Sequence, residues 1–358
     1  MATLETCSNT IRIGSYNVRA FFDRFNERRE FLYETIISME CDVLGIQEAM
    51  VSGAGLDSDL KYYLDKSLDR SDLSYQLYSS AGIVQSLSLG IQDLDFPPAV
   101  ARIFSYIIST QLFLLKVPLI SYVVASAPRA LETMRERIGT LTGIDIWSAY
   151  YVTLAPYFGI STLVKPTYRS SASEELVLMP PGMGLGIRKH LGTTQRVLVR
   201  DGETDAPLFW FVNVHYIADT NDEGVRIRSL EAQRVVEWMK SVENVTNGRV
   251  VIVGDHNTLM QNEGLFEVMR SGGYKSALLE ANGEEPNSTW PTGIQAVYKD
   301  VDGAELHPKG VCLDYIWIKG MAVKLAGVAG DKHKEGDETL FASDHIAIWA
   351  DLVLDVKE

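Results

Sequence analysis

The chain has 358 residues and a net charge of −14 at neutral pH, with 46% hydrophobic and 22% charged residues. This composition excludes a wholly disordered, collagen-like or low-complexity protein. The excess of 47 acidic over 33 basic residues argues against a uniformly basic nucleic-acid coat protein. An enzyme that acts on nucleic acid is not excluded, because a metal ion can supply local positive charge.

The three cysteines, Cys7, Cys41 and Cys312, are too few and too scattered for a disulfide framework or a cysteine-based zinc site. This usage favours a reducing compartment. The first residues contain no basic region followed by an apolar run, so the sequence predicts no signal peptide. We therefore expect an intracellular, cytoplasmic protein.

Short apolar runs rich in β-branched and aromatic residues predict six strands. In chain order they cover 11–17, 42–47, 208–215, 249–253, 311–318 and 346–354. Between them, apolar residues at helical spacing predict helices over 26–40, 225–240 and 265–269, and the last of these precedes a glycine pair that would end it. This mixture of strands and helices indicates an α/β or α+β protein.

One long apolar segment departs from this pattern. Between 96 and 127 the only charged residues are Arg102 and Lys116, and a second apolar stretch covers 144–160. The uninterrupted run 103–115 is shorter than the roughly 20 residues that a transmembrane helix needs. We interpret the segment as a pair of buried or lid helices, with contact to a lipid surface and a dimer interface as alternatives.

Polar side chains cluster at the ends of the predicted strands, where sheets with parallel strands usually build their sites. The motifs are SYNV (15–18), IQEA (46–49), NVH (213–215), GDHN (254–257), LDY (313–315) and SDH (343–345). Carboxylates such as Glu48 and Asp344 are hard oxygen ligands that suit Mg²⁺ or Mn²⁺. A histidine beside a carboxylate suits a group that stays oriented and charged next to a developing anion. The motifs include no serine nucleophile elbow and no Walker-type glycine loop.

In this order the motifs resemble the endonuclease/exonuclease/phosphatase superfamily, which includes the DNase-I-like hydrolases. Each motif alone is weakly specific, but the ordered set spans 15–345 and so covers nearly the whole chain apart from the apolar segment. The resemblance implies an α+β protein, a four-layer α/β/β/α sandwich of two mixed β-sheets flanked by helices. We expect a single domain over 8–356, with an apolar, helical insertion over 91–158. The implied activity is metal-dependent hydrolysis of a phosphoester by water.

The resemblance also implies a metal site and a water-activating group. Glu48 matches the principal ligand of the Mg²⁺ or Mn²⁺ ion, and Asn17 matches the asparagine beside it. Asp344 would help to hold the ion, directly or through water. Asp255 matches the aspartate that orients or deprotonates the attacking water.

Five further residues match groups that contact or organise the phosphate. His345 matches a histidine that contacts a phosphate oxygen, and Asp314 matches the carboxylate that orients it. His215 matches a second phosphate-contacting histidine. Asn213 and Asn257 match residues that bind the phosphate or hold the catalytic aspartate. Each of these residues also has a structural interpretation, such as a turn or helix cap for the GDHN motif.

His256 is a departure from the pattern that the resemblance implies. The motif usually has an aromatic residue at this position, which serves in packing. We expect His256 to replace it in the core. The alternative is that the imidazole reaches the site as a ligand or proton-transfer group.

The substrate is less well determined than the chemistry. The segment 311–317 lacks the arginine that follows the aspartate in inositol polyphosphate 5-phosphatases, which disfavours that branch. The first hypothesis is a Mg²⁺- or Mn²⁺-dependent phosphodiesterase or phosphatase for a small or lipid-like phosphoester, with peripheral contact to a membrane surface through 96–127. A nuclease acting on DNA or RNA is the second, although the sequence has no dense basic run to grip a polyanion. A non-catalytic binding module is the third. The sequence leaves the oligomeric state open.

Overall fold

The strands that the structure describes form two six-stranded sheets. The structure, a computed structural model, describes residues 10–19, 24–50, 56–68, 73–80, 158–178, 193–218, 220–258, 263–294 and 310–354. The strands are β1 (Thr10–Asn17), β2 (Val43–Met50), β3 (Gln76–Ser80), β4 (Phe158–Val164), β5 (Tyr168–Val177), β6 (Thr193–Asp201), β7 (Pro207–His215), β8 (Val250–Asp255), β9 (Lys275–Ser276), β10 (Asp314–Lys319), β11 (Ala322–Ala329) and β12 (Ala347–Val353).

Each sheet contains one parallel pair of strands among antiparallel neighbours. The first sheet, sheet A, has the order β11-β12-β1-β2-β4-β3, and the second, sheet B, has the order β5-β6-β7-β8-β10-β9. In sheet A the parallel pair is β1 with β2, and in sheet B it is β7 with β8. The two strands of each pair therefore end at the same edge of their sheet.

The inner faces of the two sheets pack on each other through a continuous apolar core. Strand β8 shows the two-residue alternation that produces it. Val251 and Val253 belong to the core between the sheets, whereas Val250 and Ile252 face the helices that cover sheet B. Ile11 and Ile13 on strand β1 make the matching contribution from sheet A.

Helices cover the outer face of each sheet. They are α1 (Phe25–Ser38) and α2 (Leu56–Lys66) on sheet A, and α3 (Asp222–Lys240) and α4 (Gly264–Ser271) on sheet B. The short helix α5 (Ala277–Asn282) instead contributes its buried Ala277 and Leu278 to the core between the sheets. Side chains of α1 and α2 share a buried cluster with the outer face of sheet A, and side chains of α3 and α4 do so with sheet B. On α2, the leucines at positions 56, 60 and 64 form one buried stripe. The result is a four-layer α/β/β/α sandwich, which confirms the predicted architecture.

All six predicted strands and the three predicted helices occur, with strand ends within three residues of the prediction. The predicted insertion over 91–158 lies outside the described residues except for Phe158, which begins β4. The expected lipid-contacting segment 96–127 also lies outside them. Among the residues that the structure describes, no helix is both long and apolar enough to span a bilayer.

Gly254, the first residue of the GDHN motif, lies at a close approach between the backbones of β7 and β8. It has a φ of +148°, and a Cβ atom built on it would overlap the carbonyl oxygen of Val214, its partner in the parallel pair. Only glycine avoids both the strained conformation and the overlap. The glycine therefore allows β8 to deliver the next residue, Asp255, to the end of the sheet.

We expect Gly254→Ala to lower the free energy of unfolding by about 3 kcal/mol, because strain and overlap add. Gly248→Ala is the matched control. Gly248 has a φ of +80°, but a Cβ atom built on it has no neighbour within 4 Å. We therefore expect Gly248→Ala to lower the free energy of unfolding by only about 1 kcal/mol. Urea denaturation followed by circular dichroism measures both, and equal losses would contradict the close-approach argument.

Candidate active site

The polar residues predicted from the motifs meet at one edge of the sandwich, where strands of both sheets end. Asn17 ends β1, His215 ends β7 and Asp255 ends β8. The antiparallel neighbours begin at the same edge, so Asp314 opens β10 directly opposite Asp255. The remaining site residues are Glu48 near the end of β2, Asn257 after β8, and Asp344 and His345 before β12.

The carboxylate of Asp255 lies at the centre of this group. Its Oδ1 accepts a hydrogen bond from the backbone N–H of Asn257 at 2.8 Å, and its Oδ2 accepts one from Nδ2 of Asn17 at 3.0 Å. The Nε2 atoms of His215 and His345 lie 3.6 and 3.7 Å from the same Oδ2. Asp255 is 1% exposed, so these groups replace most of its hydration.

His345 is oriented by Asp314. The Nδ1–H of the imidazole donates to Oδ2 of Asp314 at 2.9 Å, which leaves Nε2 directed toward Asp255. The hydroxyl of Thr289 in turn accepts hydrogen bonds from the backbone N–H groups of Leu313 and Asp314, at 2.9 and 3.1 Å. The loop before β10 is thus fixed, and with it the carboxylate that sets the orientation of the imidazole.

Burial and neighbouring charges shift the pKa values of the site in opposite directions. Burial raises the pKa of Asp255 to about 7, against the lowering effect of the nearby His345 charge. Burial also opposes a charge on His345, but the charges of Asp314 and Asp255 raise its pKa to about 10. Burial lowers the pKa of His215 and favours its neutral form. Near neutral pH the site therefore holds one cationic and one neutral imidazole beside a carboxylate that exchanges its proton readily.

Glu48 offers the carboxylate best suited to a divalent cation. Its Oε1 accepts a hydrogen bond from Nδ2 of Asn17 at 3.2 Å, whereas its Oε2 is buried without a hydrogen-bond partner. A buried carboxylate oxygen without a hydrogen bond is costly unless a cation compensates it. Asp344 is 1% exposed. The Arg19 guanidinium lies near both carboxylates, with its Nη1 4.0 Å from Oε2 of Glu48 and its Nε 3.4 Å from Oδ2 of Asp344. Hard carboxylate oxygens in this arrangement fit Mg²⁺ or Mn²⁺.

A second group could also hold a metal ion. Ligand atoms of Asp255, Asp314 and His345 all lie within 4.8 Å of one another, and all three residues are buried. However, Nδ1 of His345 already donates to Asp314, and the raised pKa keeps the imidazole protonated near neutral pH. A protonated imidazole has no lone pair for a metal. The carboxylates of Glu48 and Asp344 therefore fit a cation better than this group does.

Comparisons by sequence find nothing: no family model and no curated protein matches the chain. Solved structures do match. An endonuclease/exonuclease/phosphatase family protein from Bacteroides thetaiotaomicron aligns over 98% of this chain and 100% of its own, with a TM-score of 0.59 and 14% identity. A mannosyl-6-phosphatase from the same organism aligns over 96% and 99%, with a TM-score of 0.57 and 13% identity. TDP2 from D. rerio, complexed with a single-strand DNA product, aligns over 96% and 98%, with a TM-score of 0.54 and 12% identity.

The chain adopts the endonuclease/exonuclease/phosphatase fold. The resemblance inferred from the motifs is thereby confirmed at the level of fold. The alignments extend over nearly the full length of both chains, so the agreement concerns the whole sandwich.

Asn213 connects the two sheets of this fold beneath the site. Its Nδ2 donates to the backbone carbonyls of Ile46 and Ser161 at 3.1 and 2.9 Å, and its Oδ1 accepts from Nε2 of Gln47 at 2.7 Å. All three partners belong to sheet A, and Asn213 is 0% exposed. In the structure its amide is thus engaged with the other sheet, so its contribution to the site is to fix the sheets relative to each other. Gln47, which the motif analysis passed over, is the matching partner in sheet A.

A buried arginine on α1, which the sequence analysis also missed, holds two of the site segments together. Nη1 of Arg28 donates to the carbonyls of Val18 and Ala342 at 3.1 and 2.8 Å, and its Nη2 donates to the carbonyl of Arg19 at 3.1 Å. Arg28 is 0% exposed. The segment after β1 and the segment before β12 therefore share one cation. The sequence did contain a signal for its burial. Arg28 precedes the buried Leu32 by four residues and therefore lies on the same, inward face of α1.

His256 packs in the core, as the sequence analysis expected. Its ring is 0% exposed, and its Nδ1–H donates to the carbonyl of Gly254 at 2.8 Å. The rings of Tyr216 and Tyr315 contact it edge-on, with centroids 5.1 and 5.4 Å away. Its Nε2 is buried without a hydrogen-bond partner. Burial lowers the pKa of His256 from 6.5 to about 4, so the ring is neutral and acts as an aromatic residue.

The variant His256→Phe tests this interpretation through stability at acid pH. The unfolded chain takes up a proton at this residue below pH 6.5, whereas the folded protein does so only near pH 4, so the wild type loses stability as the pH falls between these values. The phenylalanine variant lacks this loss. We expect the variant to gain about 2 kcal/mol relative to the wild type between pH 7.5 and pH 5. Urea denaturation at both pH values measures the difference, and a constant difference would contradict the assigned pKa direction.

Proposed function

We propose that the protein is a divalent-metal-dependent phosphoester hydrolase in which Asp255 activates the attacking water. The observation that carries this proposal is the buried Asp255 carboxylate, which accepts hydrogen bonds from Asn17 of sheet A and from the backbone of Asn257 just after β8, with two imidazoles beside it. The shared fold supports the proposal, because the matched structures include a phosphatase and a protein complexed with a DNA product.

Asp255 is suited to accept the proton of a water molecule. A general base is most effective when its pKa lies near the working pH, and burial brings the pKa of this carboxyl to about 7. Its hydrogen bonds with Asn17 and Asn257 fix the carboxylate plane, so that one direction of approach is defined.

His345 supplies a fixed positive charge for the phosphoryl group. Its raised pKa keeps it protonated, and its hydrogen bond with Asp314 prevents the ring from turning. A preorganised cationic donor stabilises charge that develops on phosphoryl oxygens. His215, which is neutral and 16% exposed in its side chain, provides a second donor at the mouth of the site.

Glu48 and Asp344 would hold the Mg²⁺ or Mn²⁺ ion, with Asn17 positioning the Glu48 carboxylate. Such an ion supplies positive charge to a phosphoryl oxygen and to the leaving oxygen. The protein would thus contribute the base, the oriented imidazole and the carboxylates that hold the cation.

The substrate that we propose is a small phosphoester, either a monoester or a diester, rather than a long nucleic acid. The net charge of −14 opposes extended contact with a polyanion, whose binding depends on several basic side chains. Nuclease activity is the alternative, and the DNA-bound TDP2 structure keeps it in the test panel. A lipid-like substrate was proposed from the segment 96–127, which lies outside the described residues, so the described site adds no argument for it.

Hydrolysis of a panel of phosphoesters tests the proposal. The panel contains p-nitrophenyl phosphate, bis-p-nitrophenyl phosphate, a sugar 6-phosphate, sphingomyelin, and end-labelled single-stranded and duplex oligonucleotides. After treatment with EDTA we expect no turnover, and Mg²⁺ or Mn²⁺ should restore it. Asp255→Asn should lower kcat by roughly 10²-fold or more, because the base is lost. Asp201→Asn, at a surface turn that contacts Thr204, is the control and should retain full activity.

A folded wild-type protein that cleaves no member of this panel with either metal would argue against the proposal. Activity that survives in Asp255→Asn would reject the assigned base. Cleavage of oligonucleotides alone would favour the nuclease alternative.

The predicted role of Asp314 can be measured without a substrate. Replacing Asp314 by Asn removes the charge that most strongly favours protonated His345, so the pKa of His345 should fall from about 10 by at least one unit. Titration of the imidazole signals by NMR in metal-free protein measures this pKa, with His345→Gln used for assignment. An unchanged pKa would show that Asp314 does not stabilise the imidazolium.

A further inference from the structure

Arg19 places a positive charge between the two carboxylates assigned to the metal. Its Nε lies 3.4 Å from Oδ2 of Asp344, and its Nη1 lies 4.0 Å from Oε2 of Glu48. The carboxylate side chains are 1% and 12% exposed, whereas the Arg19 side chain is 27% exposed. The guanidinium therefore lies on the solvent side of these two nearly buried carboxylates.

The backbone of Arg19 is held in a conformation that directs this side chain. Arg19 has a φ of +55°, in the left-handed region that few residues other than glycine adopt. Its N–H donates to Oδ1 of Asn17 at 3.1 Å, and its carbonyl accepts from Nη2 of Arg28 at 3.1 Å. Such strained positions persist only where the surrounding structure fixes them. The placement of the guanidinium thus follows from the site itself, because Asn17 fixes the backbone of Arg19 and also contacts Glu48.

The contacts of Glu48 show which group compensates its charge. Its Oε2 is buried and makes no hydrogen bond among the described residues, and Nη1 of Arg19 lies 4.0 Å from it. At this distance the attraction is electrostatic, without the bidentate geometry of a strong arginine–carboxylate pair. A divalent ion that bound both carboxylates directly would gain more from them than the guanidinium does. The ion and the guanidinium would then repel each other, because both are positively charged and close together.

We propose that Arg19 is the resident counter-cation of the metal site and competes with the divalent ion for Glu48 and Asp344. This inference rests on the proposed function, since it takes Glu48 and Asp344 as the metal ligands. In the metal-free protein the guanidinium neutralises the two carboxylates and stabilises the fold. The ion binds only when the guanidinium withdraws toward solvent. Arg19 is therefore a positioning residue that lowers the affinity of the site for metal.

The test is calorimetric titration of metal-free protein with Mn²⁺, without substrate. We expect Arg19→Gln to bind Mn²⁺ at least tenfold more tightly than the wild type, because the competing cation is gone. Arg24→Gln is the matched control. Arg24 lies on the same connection between β1 and α1, but its guanidinium pairs with Glu27 and Asp337, so its removal should change the Kd less than twofold.

Thermal melting supplies a second readout, which a mere change in the total charge of the protein would not reproduce. Without metal, Arg19→Gln should melt at a lower temperature than the wild type, because two carboxylates lose their counter-cation. Saturating Mn²⁺ should raise its melting temperature by more than it raises that of the wild type. Arg19→Lys keeps the positive charge, but its single ammonium group cannot lie beside both carboxylates as the guanidinium does. Its Kd for Mn²⁺ should therefore lie between those of the wild type and Arg19→Gln. This variant keeps the test decisive if the glutamine variant folds poorly.

The outcomes separate this inference from the proposed function. Equal or weaker Mn²⁺ binding by Arg19→Gln, or by Arg19→Lys where only that variant folds, overturns the role of Arg19 and leaves the metal site in place. The absence of Mn²⁺ binding to the wild type and to every variant overturns both proposals. Equal tightening by Arg19→Gln and Arg24→Gln also overturns the inference, because the effect would then reflect total charge.

Discussion

The hydrogen bond between Asn17 and Asp255 is the contact on which the candidate site depends, because it joins the two sheets at the edge where the site residues meet. Asn17 ends β1 in sheet A, and Asp255 ends β8 in sheet B. One layer below, Asn213 and Gln47 make the same kind of connection at 2.7 Å. Polar bridges of this kind are tolerated in an apolar core only when their partners are satisfied. They fix the alignment of the sheets, and through it the distance between the carboxylates assigned to the metal and the proposed base.

The electrostatics of the site follow from the burial of carboxylates that cannot all be neutralised by hydrogen bonds alone. Asp255, Asp314 and Asp344 are each 1% exposed. Burial of unpaired charges is costly, so cations are drawn to such a site. His345 compensates Asp314 and Asp255, and its pKa rises as a result. Arg19 lies beside Asp344 and Glu48. The same surplus of negative charge thus explains a protonated histidine, a constrained arginine and a suitable place for a divalent ion.

Much of the fold, and the meeting of the candidate site residues at one edge, could be predicted from the sequence, because buried strands and their polar ends leave strong local signals. Strands β7 and β8 were predicted from dense apolar runs. Six strands were missed: the edge strands β3, β5, β9 and β11, and the interior strands β4 and β6. An edge strand with a solvated face needs little apolar sequence, and β9 has only two residues. Helix α2 was missed although its leucine stripe was visible. The position of the Arg19 guanidinium could not be predicted, because it depends on a left-handed backbone and on partners far along the chain.

The outer helices contribute to the site as well as to the core, through one buried arginine on each side. On α1, Arg28 binds the carbonyls of the segments that follow β1 and precede β12. On α3, Arg228 binds the carbonyl of Ile217 at 3.2 Å and pairs with Glu263 at 3.1 Å. Ile217 follows Tyr216, whose carbonyl accepts from Nδ2 of Asn257. Each helix layer therefore fixes segments that adjoin the strands of its own sheet. Apolar contacts alone are non-directional and could not set these loops, whereas a guanidinium that donates to several carbonyls defines both their spacing and their orientation.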